Sequence, residues 1–325
     1  MGIKFAIQGL FNQAGYAVLR TDSLRAILDH SRRIEGYASF LEEKLAEIPD
    51  LPPETGRSNV AAILAEAPYI FGNIEMTDSM LQPNAASALP GILINTVPKS
   101  GTVYLYSLLQ KGLQMEYWPI SLGYFPRDLV DHAKLKALCS KGGRVSGQHL
   151  DPSPLNLSIL QRYIKKWVVH IRDPRSVLIS WMHHLERLWK IDRSFLLSIY
   201  PSPDEKYFSL GWHEKIAWNL DNFLPEVAKW MRSWLRIVDS GKYDILLTTY
   251  DDLIRDERAL VSRLLVFYGI PESAFLQPDI EKSMQVHYRS GRIDEWRESL
   301  SSPQITIANR IVGKDLLERF NWSAQ

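Results

Sequence analysis

The segment Pro98-Lys99-Ser100-Gly101-Thr102 concentrates more potential chemistry than any other five residues of the chain. It combines a mobile cation, two hydroxyl donors and a glycine that lets the backbone turn tightly. An apolar, partly β-branched run from Ile92 leads into it, and an apolar-periodic segment from Val103 to Leu113 follows. This pattern predicts a strand, a tight loop and a helix. Such a loop aims backbone N–H groups and a helix N-terminus at one point, which suits a phosphate or another small anion. The Walker A pattern G-x-x-x-x-G-K-[ST] places lysine after the glycines. Here Lys99 precedes the loop's glycine, and that order argues against an ordinary ATPase or GTPase.

A second anion site is predicted in His170-Ile171-Arg172-Asp173-Pro174-Arg175-Ser176-Val177-Leu178-Ile179-Ser180. Arg172 falls at the end of the apolar strand Trp167 to Ile171, where paired guanidinium donors can grip a phosphate. Asp173 is the expected N-cap and Pro174 the first residue of a helix. Ser180 lies two turns further, so it returns to the face of Asp173. Two anion grips on neighbouring strands suggest a ligand with two separated phosphate groups.

The elements that must position these residues alternate between strand and helix. Arg144 to Leu150 reads as a second strand, Leu155 to Tyr163 as a helix, and Asp244 to Tyr250 as another strand. Residues 201 to 211 read as a loop. A long amphipathic stretch from His213 to Val238 carries Trp218, Trp230 and Trp234, expected in the core, and Pro225 should kink or split it. Arg258 to Tyr268 reads as a helix stopped by Gly269. The expected fold is α/β: a mostly parallel, P-loop-like central sheet flanked by helices, with ligands outside the carboxyl ends of the strands. Residues 1 to about 48 look helical. Pro49 to Pro90 holds six of the 18 prolines and reads as a connecting region. The expected organisation is therefore an N-terminal helical extension over 1–89 and a core domain over 90–325.

Composition narrows the function. The 325 residues are 46% hydrophobic, enough for a sizeable core. A net charge of +1 supplies no global field for nucleic acid, so an anion site must be local. Cys139, the one cysteine, excludes an internal disulfide framework and a cysteine-rich metal site, and a free thiol suits the cytoplasm. No His/Cys/carboxylate spacing suggests a metal. No apolar run reaches the length of a membrane span.

The motifs resemble those of the PAPS-dependent sulfotransferases, which move a sulfuryl group from 3′-phosphoadenosine-5′-phosphosulfate to a hydroxyl or amine. The loop 98–102 resembles the family's 5′-phosphosulfate loop, and residues 172–180 resemble its 3′-phosphate motif. Thr249-Tyr250-Asp251-Asp252-Leu253 resembles a family Tyr-Glu-Asp-Leu stretch. Arg289-Ser290-Gly291 with Trp296-Arg297 resembles an Arg-Lys-Gly followed by Trp-Lys. The matches run in order over residues 90 to 325.

The resemblance implies that Lys99, Ser100, Gly101 and Thr102 hold the 5′-phosphosulfate. It implies that Arg172, Ser180, Arg289, Ser290 and Gly291 hold the 3′-phosphate, and that Tyr104 and Tyr250 contact adenine. Gly147-Gln148-His149-Leu150 resembles the family's Lys-Thr-His-Leu, which makes His149 the catalytic base and Lys99 the stabiliser of the leaving phosphate. Val103, Tyr104, Gly147 and Ser290 stand where the family often has threonine, tryptophan, lysine and lysine. Trp118, Tyr124 and Phe125 are candidates for an acceptor pocket. The implied acceptor is a small molecule, lipid or glycan. A P-loop kinase or NTPase and a non-catalytic nucleotide-binding homologue are the competing readings.

Overall fold

Ile92 to Thr96 are buried at every position, which a strand covered on both faces requires. The structure, a computed structural model, describes residues 89–191, 196, 203–280 and 292–323. The expectations for residues 1–88, and for Arg289, Ser290 and Gly291, lie outside the described residues.

In chain order the elements are β1 (Ile92–Thr96), α1 (Thr102–Gly112), β2 (Glu116–Tyr117), α2 (His132–Lys141), β3 (Arg144–Gln148), α3 (Pro154–Tyr163), β4 (Lys166–Ile171) and α4 (Pro174–Ile191). Then come α5 (Glu205–Ser209), α6 (Trp212–Asn222), α7 (Leu224–Asp239), β5 (Asp244–Thr249), α8 (Tyr250–Arg255), α9 (Glu257–Tyr268), α10 (Trp296–Ser299) and α11 (Ser302–Arg319). The five strands form one sheet in the order β2-β3-β1-β4-β5, parallel throughout. Helices flank it, as the alternating pattern predicts. Leu105, Leu108 and Leu109 of α1 pack with Leu260, Val261, Leu264 and Leu265 of α9 and with Ile92 and Ile94 of β1.

Local signals explain most boundaries. Asp173 accepts the Arg175 N–H at 2.9 Å and starts α4 with Pro174 in its first turn. Pro225 splits the amphipathic stretch at Phe223 and sits in the first turn of α7. Gly269, left-handed at φ 69°, ends α9. The reading of 201–211 as loop is corrected: Asp204 caps the short helix α5 through the Tyr207 N–H. A two-residue strand such as β2 carries no periodicity, and it forms only because β3 offers an edge. Trp230 and Trp234 lie in the core as expected, whereas Trp218 is half-buried against Tyr207.

Candidate active site

The sheet register aligns the predicted site residues along one edge. Asn95 pairs with Gln148, Thr96 with His170, and Ile171 with Thr249. The residues that follow each strand, the 97–101 loop, His149, Arg172 and Tyr250, therefore emerge side by side at the carboxyl ends, where strands sit about 4.8 Å apart.

The loop after β1 is held by its own side chains. Lys99 adopts φ 63° and Gly101 φ 86°, both left-handed. Lysine rarely takes that conformation, and its presence marks a turn the surroundings impose. At Gly101 a Cβ would lie 3.2 Å from Tyr250 and 3.3 Å from Leu253, so only glycine lets α8 approach. The two hydroxyls of the loop have partners within the fold. Ser100 is fully buried and donates to the Val97 carbonyl at 2.7 Å, while Thr102 shares a 2.6 Å bond with the Thr96 hydroxyl. What the loop presents is the N-terminus of α1, whose N-cap Gly101 supplies no side-chain cap. First-turn N–H groups of that kind have no partner within the helix.

His149 leaves β3 beside this loop. Its Nδ1 is 2.8 Å from the Thr96 carbonyl oxygen and 3.1 Å from the Thr96 hydroxyl. A carbonyl only accepts, so Nδ1 carries the proton and Nε2 is the basic nitrogen. His149 sits deep yet is only partly buried. Burial and, to a smaller extent, the Lys99 charge lower its pKa to about 4, against the Thr96 hydrogen bond that raises it. The backbone next to it is fixed: Asn95 bonds Leu150 in both directions, and Trp230 and Trp234 both donate to the Leu150 carbonyl.

Arg172 clasps the loop to the C-terminal segment. Its guanidinium donates to the Lys99 carbonyl and to the Arg292 carbonyl, each at 2.8 Å, and stacks 4.0 Å from the Tyr250 ring centroid. Tyr250, almost wholly buried, thus lies beneath Arg172 and Gly101. Ser176 donates to the Ile293 carbonyl, and Arg175 donates to Asn309 and to the Ser323 carbonyl. Ser180, one turn beyond Ser176 and partly exposed, shares the α4 face that this segment covers. Arg292, which directly follows Gly291 in sequence, is docked on Arg172 through its carbonyl. Tyr104 on α1 donates its hydroxyl to Glu257.

Several positioning residues escaped sequence reasoning. His170, inside a buried strand, donates from Nε2 to the Ser100 carbonyl at 3.0 Å, so Nδ1 accepts from Thr248 at 2.8 Å. Burial holds its pKa at about 4, and it braces the loop as a neutral ring. A histidine within the run Trp167 to Ile171 was the available signal. Thr96 links His149 and Thr102, and it stands just ahead of the loop motif. Among the acceptor-pocket candidates, Tyr124 meets His149 edge-on with ring centroids 5.2 Å apart. Phe125 is instead core, packed on Phe223, and Trp118 lies under the Arg144 guanidinium. At Gly147 a Cβ would come 2.7 Å from the Tyr106 ring, which stacks on Tyr117. Tyr106 thus occupies the space a lysine at 147 would need.

Sheet and loop together define an α/β protein with a glycine-containing loop and a partly buried histidine at the carboxyl edge of its parallel sheet. The chain belongs to the sulfotransferase domain family, whose model matches residues 89–295, more than half its length. A search of the curated proteins by sequence finds no match. Similar solved structures include a mouse sulfotransferase complexed with PAP, at 15% identity over 77% of this chain and 90% of that one, TM-score 0.48. Retinol dehydratase in complex with retinol and PAP aligns at 16% identity over 71% and 82%, TM-score 0.42. A sulfotransferase from Alicyclobacillus acidocaldarius aligns at 16% identity over 70% and 96%, TM-score 0.38. Among the described residues, no helix is long and apolar enough to cross a membrane.

Proposed function

We propose that the chain transfers a sulfuryl group from PAPS to an acceptor hydroxyl or amine, with His149 as general base and Lys99 stabilising the leaving phosphate. The observation that carries this reading is the bond from His149 Nδ1–H to the Thr96 carbonyl, which leaves a bare Nε2 in a site the Lys99 charge reaches.

The residues fit the nucleotide. The uncapped N-terminus of α1 and the left-handed Lys99–Gly101 turn suit the 5′-phosphosulfate. Arg172, which donates to two backbone carbonyls beside the loop, supplies the guanidinium for the 3′-phosphate, with Ser180 further along α4. On this reading Tyr104 and Tyr250 contact the adenine. When bound, PAPS supplies the activated sulfuryl group.

The protein's own residues do the rest. His149 Nε2 takes the proton from the acceptor as its oxygen or nitrogen attacks, worth about 10²–10⁴ in rate. The Thr96 carbonyl then holds Nδ1–H and steadies the imidazolium. Lys99 and the α1 N–H groups meet the charge that grows on the phosphate side. His170, kept neutral, fixes the Ser100 carbonyl and so the loop's shape.

Calorimetry with PAP and with Mg-ATP tests the nucleotide assignment. Tighter binding of PAP by at least about tenfold is expected, and preference for Mg-ATP overturns the reading. Transfer from ³⁵S-labelled PAPS to a panel of phenols, alcohols and amines, with His149→Ala as control, tests the chemistry. Equal turnover by that variant removes His149 from the base role.

A further inference from the structure

Asp128 lies where three parts of the site meet. The segment Ser121 to Val130 folds back on itself through an isolated antiparallel bridge between those two residues. Asp128 itself bridges Leu150 in parallel, directly beyond His149. Its backbone carbonyl accepts from Asn156 Nδ2 at 2.8 Å, which ties the same point to α3. The carboxyl is about 1% exposed. One oxygen accepts the Gly123 N–H at 3.1 Å, the other accepts the His149 N–H at 3.4 Å, and the Ser121 hydroxyl adds a further bond.

Every hydrogen bond named here comes from a neutral donor. Burying a carboxyl without a cation beside it is costly, and burial pushes its pKa up to about 7. An amide would serve the fold more cheaply if only one N–H had to be met. Two N–H donors and a hydroxyl converge on two oxygens, however, and only a carboxylate offers acceptors at both. The donors belong to the two things the reaction has to align. Ser121 and Gly123 lie just ahead of Tyr124, whose ring lies edge-on to His149, and the third donor is the backbone of His149 itself.

We propose that Asp128 is a positioning residue for sulfuryl transfer: its carboxylate joins the Tyr124 turn to the backbone of His149 and holds acceptor wall and base in one register. This rests on the sulfotransferase reading, and it assigns a role to a residue outside every sequence motif of the site. Tyr124 then defines one wall of the acceptor cleft, and Asp128 reaches the acceptor only through it.

Asp128→Asn and Asp128→Ala test this, with Ser121→Ala as a milder variant should the alanine form not fold. The first readout is carbethoxylation of His149 by diethyl pyrocarbonate, followed by peptide mass spectrometry with His132 as internal reference. Loss of the clamp should speed His149 acylation at least about fivefold in Asp128→Asn while PAP affinity stays within about twofold of wild type. The second readout is transfer from labelled PAPS to 2-naphthol, where kcat/KM for the acceptor should fall about tenfold with the KM for PAPS unchanged. Unchanged acylation of His149 in Asp128→Asn overturns the proposal. So does a parallel fall in PAP affinity, which would mark a general structural role. Failure of the wild-type protein to bind PAP counts against the sulfotransferase reading instead, and the acylation result still decides the role of Asp128.

Discussion

His149 Nδ1 lies 2.8 Å from the Thr96 carbonyl oxygen, and the Thr96 hydroxyl lies 2.6 Å from that of Thr102 at the start of α1. The His149 ring and the N-terminus of α1 are thus joined through one threonine. Thr96→Val keeps the carbonyl bond and removes the hydroxyl link. Transfer should fall about tenfold, short of the 10²-fold that a 1 Å misplacement can cost. His149→Ala should cost about 10²–10⁴. Steady-state rates with labelled PAPS, beside PAP binding that stays intact in both variants, check the pair.

Lys99 combines a left-handed backbone with a charge that His149 feels. Lys99→Met should lower kcat by about 10²–10³ if the ammonium acts on charge developing in the transition state. Removing the charge should also raise the pKa of His149, because Lys99 lowers it. A shift of the His149 titration to higher pH, followed by NMR, is the second check.

Gly147 leaves room for Tyr106, so restoring a family-like lysine there should fail in this chain. Gly147→Lys should destabilise by about 1–3 kcal/mol through overpacking. Adding Tyr106→Ala should recover part of the loss by opening the space. Urea denaturation of the two variants measures it, and an undisturbed single variant would contradict the Tyr106 contact.

Arg172 joins two segments far apart in sequence by donating to the Lys99 and Arg292 carbonyls. Arg172→Lys keeps the charge and loses the fork that spans the Lys99 and Arg292 carbonyls. PAP affinity, measured by calorimetry, should drop at least about tenfold, and unchanged affinity would remove Arg172 from the nucleotide grip.

Acid should act on stability through opposed groups. His149 and His170 have pKa values near 4 in the fold, below the ordinary 6.5, so the unfolded chain takes up protons first. Stability they support above about pH 6.5 is lost as pH falls toward 4. Asp128, raised from 3.8 to about 7, works the other way, because the folded chain binds its proton first. Tyr117, Tyr124, Asp151 and the His149 backbone face it. Thermal melts from pH 8 to 4 should therefore show a shallower acid loss in His170→Gln, by about one proton, and a steeper one in Asp128→Asn.

The order of residues determined the strand–loop–helix around Lys99, the capped start of α4 after Arg172 and the break at Pro225. Each of these rests on local rules: a short apolar run, a glycine, a capping aspartate, a proline. It also placed Lys99, Gly101 and Arg172 just beyond the ends of β1 and β4, where the structure has them. Sequence could not decide which groups face the ligand. Ser100 and Thr102 looked like donors to an anion, yet their hydroxyls turn inward, because Val97 and Thr96 offer acceptors that only the folded loop brings within reach. The tautomer of His149, the brace from His170 and the clamp from Asp128 all depend on strands β1, β3 and β4 lying side by side. Partners such as Thr96 and His149, 53 residues apart, meet only through that register, and no local pattern encodes it.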